Sequence, residues 1–142
     1  RSEFVGSGDA AVEAVYQKVA EQVGSVEFMG YGATEGKSQI VALVAHGAEA
    51  QNASGKGTVA VVTKATPFYG ESGGQVGDTG LIVGPRGKLR ITDTKKPVGS
   101  VVVHVGELET GELSVGDTVE LQVDVERRNA IRRNHSATHL LH

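Results

Sequence analysis

Apolar residues near the N-terminus recur at steps of three and four, the spacing that lines one face of an α-helix. They are Val12, Val15, Tyr16, Val19 and Val23. Asp9 can cap the first turn and Gly24 can end the helix, so the pattern predicts a helix over 9–23. Its short apolar face indicates a packing or connecting helix.

From Val26 to Val125 the pattern changes to alternating apolar and polar positions separated by turn residues. The predicted strands are 26–31, 38–45, 57–64, 79–83, 88–92, 100–106 and 118–125. The predicted turns are 33–36, 52–55, 84–87, 96–97 and 115–117. No helical period interrupts the series. Because closing a sheet removes its exposed edges, we predict a mainly β fold, a small antiparallel β-barrel of six or seven strands.

After Val125 the residues 126–142 contain no Gly or Pro and are typical of a helix without a stop signal. We therefore expect a truncated C-terminal helix beside the barrel. The predicted organisation is a tag or disordered tail over 1–7, a connecting helix over 8–25, the barrel over 26–125, and this helix over 126–142.

Composition excludes several classes of protein. The 142 residues carry 14 Lys and Arg against 17 Asp and Glu, a net charge of -3, which excludes a uniformly basic nucleic-acid-coating protein but leaves a local basic patch open. The absence of cysteine excludes a disulfide scaffold and a thiol nucleophile. No apolar run approaches the roughly 20 residues that span a bilayer. We expect a soluble, cytoplasmic protein.

His135 and His139 are the strongest candidates for metal ligands. Residues four apart on a helix lie one above the other, so two imidazoles can meet one divalent ion, most often zinc. The alternative is a pair of surface or packing histidines. Zinc requires three or four ligands, and His46 and His104 fall in predicted strands as ordinary strand histidines. The remaining ligands would then belong to sequence outside this chain.

Four arginines precede the histidine pair: Arg127, Arg128, Arg132 and Arg133. Arg128 and Arg132 fall on the same helix face as His135. Taken alone, the cluster is typical of a solvated helix face. Beside a metal pair it would also suit contact with a phosphate backbone, so both arginines are candidate phosphate-binding residues.

The segment 70–80 is rich in glycine, which permits positive φ angles and close approach of another backbone or a ligand. It is not a phosphate-binding P-loop, because no Gly-Lys-Ser/Thr follows. One interpretation is a sharp turn between strands. Gln75 offers a second, since its amide can both donate and accept hydrogen bonds and so orient a small polar substrate.

Two motifs together resemble those of the alanyl-tRNA synthetase family. They are TPFYGESGGQVGD at 66–78 and, 56 residues further on, NHSATHLLH at 134–142. The resemblance extends over nearly the whole chain after residue 7 and includes EFMGY at 27–31. Gly70 departs from the Ala expected in many relatives.

The resemblance implies an enzyme that uses ATP to charge tRNA(Ala) with alanine in a domain absent from this chain. A separate editing domain hydrolyses mischarged Ser-tRNA(Ala) and Gly-tRNA(Ala). In that family a translation-factor-like barrel joins a zinc-binding editing core. By motif match His135 and His139 would be half of the zinc site, and Gln75 and Thr138 would line the editing pocket.

The Cys-x-x-x-His half of the family's zinc site is absent. We therefore expect this chain to bind zinc weakly and to lack hydrolytic activity alone. The implied partner is the mischarged aminoacyl end of tRNA(Ala), with Arg128 and Arg132 as candidate tRNA-binding residues and with no DNA or membrane partner. Three alternatives stay open: a free-standing trans-editing deacylase, a non-catalytic RNA-docking barrel, and a metal-dependent hydrolase of unrelated substrates.

Overall fold

The computed structural model describes residues 14–71 and 76–140, and for 135–140 it describes the backbone only. Helix α1 occupies residues 14–23. The Gly24 N–H donates to the Ala20 carbonyl at 2.8 Å with Gly24 at φ 86°, so the helix ends at the predicted glycine. Positions 9–13 of the predicted helix lie outside the described residues.

In the described part of the chain, ten strands and a second helix follow. The strands are β1 Glu27–Phe28, β2 Glu35–Ala45, β3 Ala48–Ala50, β4 Asn52–Ser54, β5 Thr58–Thr63, β6 Ala65–Thr66, β7 Gly80–Val83, β8 Gly87–Val98, β9 Val101–Ser114 and β10 Thr118–Val123. Helix α2 is Val125–Leu140.

The predicted antiparallel barrel is confirmed, with six strands in its wall. They follow the order β10-β7-β8-β9-β5-β2, and antiparallel pairing of β10 with β2 closes the ring. The short strands β3 and β4 add to β2 and β9, while β1 and β6 form a separate parallel pair. These short additions were not predicted, because segments of two or three residues carry no measurable period.

Several local predictions were wrong. Residues 52–54, expected to turn, form strand β4 and pair with β9. Residues 96–97, expected to turn, lie inside β8, and the turn comes at 99–100. Pro97 has no N–H to donate to a neighbouring strand. It is accommodated because the β8–β9 register shifts between Lys95 and Val98, where no such hydrogen bond is needed. His46, expected in a strand, lies in the turn between β2 and β3 at φ 55°.

The apolar core has two parts because the barrel wall is buried on both sides. Val59 and Val61 of β5 point into the barrel, which holds Phe68, whereas Val62 points outward against Val19 of α1. The interior is otherwise mostly Val, Ile and Leu. In the described part of the chain no helix is long and apolar enough to span a membrane.

Candidate functional site

The helix predicted to carry the metal ligands is present. Its backbone runs from Val125 to Leu140, so His135 and His139 are one helical turn apart and Thr138 lies between them. The side chains of these three residues, and the whole of Gln75, lie outside the described residues. Their ligand and pocket roles stay predictions.

Helix α2 begins directly after Asp124, the residue that follows the last barrel strand. The Asp124 carboxylate accepts the Arg127 N–H at 3.1 Å, as an N-cap does. The Asp124 N–H in turn donates to the Thr79 carbonyl at 2.8 Å. The start of α2 is therefore fixed to the segment that follows the glycine-rich loop.

Arg128, a buried residue of α2, joins four parts of the chain. Arg128 and Asp78 form an ion pair of 2.6 Å between Nη2 and Oδ2, with side chains 4% and 8% exposed. Nη2 also donates to the Pro67 carbonyl at 2.6 Å. Nη1 donates to the carbonyls of Tyr31 and Ala33 at 2.8 and 3.1 Å. The planar guanidinium is suited to such divergent acceptors, whereas the ammonium of a lysine is not.

Asp78 also fixes the residues on both sides of the glycine-rich loop. Its carboxylate accepts the Tyr69 N–H at 2.8 Å, and its carbonyl accepts the Thr94 hydroxyl at 2.7 Å. Before the loop, the Glu71 N–H donates to the Thr94 carbonyl at 2.8 Å. The residues flanking the loop are thus held against β8.

Gly77 is required at its position by packing. A Cβ there would lie 2.0 Å from the Thr94 carbonyl oxygen, which is far inside van der Waals contact. On the other side, the Arg127 Nη1 donates to the Gly77 carbonyl at 2.9 Å. Because Gly77 has no Cβ, the backbone of the glycine-rich segment can pass between β8 and α2 at this point.

These contacts unite the two sequence motifs and correct one expectation. Asp78 ends the first motif, and Arg128 lies on the helix that carries the second. Arg128 was expected on an exposed face, but it is 4% exposed and its donors are engaged within the fold. A phosphate could reach it only by displacing those partners. Arg132 is exposed, and its contact with tRNA stays a prediction.

Sequence reasoning missed an aromatic cluster beside this ion pair. Tyr31 stacks on Tyr69 at 5.3 Å between ring centroids, and Phe28 meets both rings edge-on at 5.4 and 6.0 Å. The Arg132 guanidinium lies over Tyr31 at 5.2 Å from the ring centroid. Phe28 and Tyr31 fall within a segment predicted to be one strand. Only its first part is strand, and the following turn brings Tyr31 toward α2.

His104 is a buried structural histidine of β9, as its strand position predicted. Its Nδ1 faces the Val61 carbonyl at 2.8 Å, so Nδ1 carries the proton and Nε2 accepts from the Thr66 hydroxyl at 2.7 Å. Burial lowers the pKa of His104 to about 4, partly offset by the backbone hydrogen bond to Val61. The ring is therefore neutral at pH 7.

Among the described residues there is no group of three or more His, Cys, Asp or Glu side chains that could hold a metal ion. A metal site would need donors from outside that set. The described geometry instead provides a rigid junction between the glycine-rich loop, the barrel and α2, with aromatic and cationic side chains at its surface.

Comparison with known proteins identifies the class to which this barrel and helix belong. The model for the family described as tRNA synthetases class II (A) matches residues 2–127. The chain belongs to that family of aminoacyl-tRNA synthetases.

The most informative relatives are bacterial alanine–tRNA ligases. The chain is 54% identical over 141 residues to that of Anaeromyxobacter sp. (strain Fw109-5), covering 99% of this chain. It is 52% identical over 143 residues to that of Granulibacter bethesdensis, and 52% identical over 146 residues to that of Myxococcus xanthus, each covering 100% of this chain. It spans 16% of the length of each of these relatives.

Proposed function

We propose that this chain is the barrel part of the editing domain of an alanine–tRNA ligase, together with the first helix of its zinc-binding core. The whole enzyme charges tRNA(Ala) with alanine using ATP and hydrolyses Ser-tRNA(Ala) and Gly-tRNA(Ala). The observation that carries this proposal is the identity of about half the residues, along essentially the whole chain, with proteins named alanine–tRNA ligase.

Editing is needed because a binding pocket discriminates poorly between amino acids of similar size. A pocket that binds alanine cannot exclude the smaller glycine, and the added hydroxyl of serine is small, so binding differences amount to only a few kcal/mol. A second site that hydrolyses the wrong ester supplies the missing discrimination. The proposal assigns Gln75, from the glycine-rich loop, and Thr138, from α2, to that second pocket.

The junction at Asp78 supports this assignment of two distant segments to one pocket. Gln75 lies three positions before Asp78 in sequence, and Thr138 lies ten positions after Arg128 on the same helix. The ion pair between Asp78 and Arg128 ties the loop segment to the helix. Rigid support from buried neighbours is what a hydrolytic pocket needs in order to hold its substrate in a productive pose.

His135 and His139 fit half of a zinc site. They are imidazole donors one turn apart on a continuous helix, a spacing compatible with one ion. Without cysteine in the chain, the Cys-x-x-x-His half expected from the family would come from sequence beyond it. Zinc bound there would supply a Lewis acid that orients the aminoacyl group or polarises a carbonyl.

Deacylation by the full-length enzyme that carries this sequence tests the proposal. We expect Gln75→Ala to slow hydrolysis of Ser-tRNA(Ala) and to raise accumulation of the mischarged product, while alanine-dependent ATP–pyrophosphate exchange is unchanged. Gln51→Ala, an exposed glutamine elsewhere in the chain, is the matched control. Loss of alanine activation in Gln75→Ala, with editing intact, would assign the loop another function.

We also propose that the 142-residue chain alone has no deacylase activity, since it contains only half of the expected zinc ligands. Incubation of the purified chain with Ser-tRNA(Ala) tests this directly. Robust hydrolysis would show that the active site has been assigned to the wrong residues.

A further inference from the structure

Three contacts fasten the first turn of α2 to the segment 77–79. The N-cap residue supplies one, at the Thr79 carbonyl, and the buried ion pair supplies another, at the Asp78 carboxylate. The third comes from Arg127, whose Nη1 donates to the Gly77 carbonyl at 2.9 Å. Three consecutive barrel residues thus receive three separate contacts from the start of the helix.

The two arginine contacts leave the helix in different directions. Consecutive residues of an α-helix are about 100° apart around its axis. Arg128 reaches the carbonyls of Tyr31 and Pro67, whereas Arg127 reaches that of Gly77. Because the directions differ, the two contacts together oppose tilting of α2 in two directions, which neither contact can do alone.

The carbonyl that Arg127 binds is itself held in place. A Cβ at Gly77 would lie 2.0 Å from the Thr94 carbonyl oxygen, so the Gly77 backbone already rests against β8. The next peptide is fixed as well, since the Asp78 N–H donates to the Tyr69 carbonyl at 3.0 Å. Within the described residues Arg127 forms no ion pair with a carboxylate. Its guanidinium therefore links α2 to a fixed backbone point of the barrel.

Both arginines lie on stripes of α2 that continue to the candidate site residues. Thr138 comes 11 positions after Arg127, about three turns, and His135 comes seven positions after Arg128, about two turns. At about 1.5 Å of rise per residue, position 138 is about 16 Å along the helix from Arg127. A tilt of about 10° at the first turn would therefore move position 138 by about 3 Å. A misplacement of about 1 Å can already cost a reaction about a hundredfold in rate.

We propose that Arg127 is a positioning residue, whose hydrogen bond to Gly77 fixes the direction of α2 and thereby the placement of Thr138 and the histidine pair. The inference rests on the proposed function for the identity of the reaction that α2 serves. It assigns Arg127 no contact with substrate, zinc or RNA. A purely structural role would change stability and leave the turnover of folded enzyme unchanged, whereas a positioning role lowers kcat in enzyme that stays folded.

Steady-state deacylation of Ser-tRNA(Ala) by the full-length enzyme that carries this sequence tests the role. Arg127→Met removes the donor, so we expect kcat to fall at least about tenfold while KM stays within about threefold. Arg127→Lys still offers an N–H donor to a single carbonyl and should restore kcat to within about threefold of the parent. Arg86→Met, the control, removes an exposed arginine from the turn between β7 and β8 and should leave both constants within about twofold.

Two kinetic outcomes would reject the positioning role of Arg127. One is an unchanged kcat in Arg127→Met, including the case in which KM rises and Arg127 proves to be a contact of the tRNA. The other is a loss of kcat that Arg127→Lys does not restore, because the hydrogen bond would then not be its cause. Circular dichroism establishes that each variant is folded, and Arg127→Gln is measured in the same way in case Arg127→Met does not fold.

Spin labels measure the direction of α2 independently of activity. Because the 142-residue chain has no cysteine, Ala137→Cys and Thr118→Cys introduce two unique labelling sites, one on α2 and one at the exposed start of β10. Double electron–electron resonance should give a narrow distance distribution in the parent. Arg127→Met should shift or broaden that distribution by about 3 Å, and Arg127→Lys should not. An unaltered distribution in Arg127→Met, or a broad one in the parent, would overturn the inference.

The two measurements also separate this inference from the proposed function. If the label distance depends on Arg127 but the parent enzyme does not hydrolyse Ser-tRNA(Ala), the editing proposal fails and the positioning of α2 by Arg127 stands. If the parent enzyme hydrolyses Ser-tRNA(Ala) and Arg127→Met keeps its full kcat, the editing proposal stands and the positioning role is rejected.

Discussion

Arg128 and Asp78 lie 50 positions apart in sequence and form an almost completely buried ion pair of 2.6 Å. The pair is bonded further to backbone groups of Tyr31, Pro67 and Tyr69. Removing one partner of such a pair leaves the other charge buried without compensation, which is far more costly than loss of a surface ion pair.

We therefore predict that Arg128→Met lowers the free energy of unfolding by about 3–5 kcal/mol. Arg128→Lys should recover only part of this loss, because a lysine cannot reach the same divergent acceptors. Urea denaturation of the 142-residue chain measures both. Arg133→Met, at an exposed position of the same helix, should change stability by less than about 0.5 kcal/mol.

The double variant Arg128→Met with Asp78→Asn separates charge from packing. It should be more stable than Arg128→Met alone, because no unpaired carboxylate is left in the interior. If Arg128→Met is as stable as Arg133→Met, the ion pair does not hold the junction together.

Stability should fall in mild acid because of His104. Its folded pKa is about 4, below the ordinary 6.5, so the unfolded chain binds a proton that the folded chain excludes between these values. This contribution is fully present above pH 6.5 and is lost as the pH falls toward 4, by about 3 kcal/mol in all. Urea denaturation at several pH values measures the loss.

The control for this dependence is the exposed His46. His46→Asn keeps a residue that tolerates the positive φ of that turn, and it should leave the pH profile unchanged. His104→Gln should be less stable at pH 7 but show a flatter profile between pH 6.5 and 4. An unaltered slope in His104→Gln would assign the acid sensitivity to other groups.

Gly77→Ala should disrupt the junction between β8 and α2. The new methyl group would overlap the Thr94 carbonyl, and the Gly77 carbonyl and the Asp78 N–H are both hydrogen-bonded, so we expect a loss of at least about 2 kcal/mol in stability. Thermal unfolding measures it. Gly32→Ala is the matched control. A Cβ at that position would meet no atom within 4 Å, and Gly32 does not have a positive φ. Equal effects of the two substitutions would contradict the close packing.

Zinc content distinguishes a helix with two free histidines from half of a metal site. We predict that the 142-residue chain retains little zinc after dialysis, whereas a chain extended through the expected Cys-x-x-x-His retains about one ion. His135→Ala should remove zinc from the extended chain, and His46→Asn should not. Tight binding by the short chain, or none by the long one, would reject the assignment.

The sequence by itself determined the fold class, the two helices and most barrel strands. These follow from local periodicity: alternation along β10, three- and four-residue steps along α1, and glycines that end elements. The two motifs also pointed to the family. Local signals were weakest for β3 and β4, which form because the longer strands β2 and β9 offer them an edge, and for β6, which pairs with the equally short β1.

Only the tertiary structure decided what Arg128, Tyr31 and Gly77 do. In sequence Arg128 is one of four arginines on a polar helix, and nothing local distinguishes it from Arg132. The barrel closes so that Asp78, Pro67 and the turn at Tyr31 surround the first of these two, while the second stays at the surface. Burial and partners depend on contacts between residues far apart in the chain, and a local pattern contains no information about which distant atoms will meet.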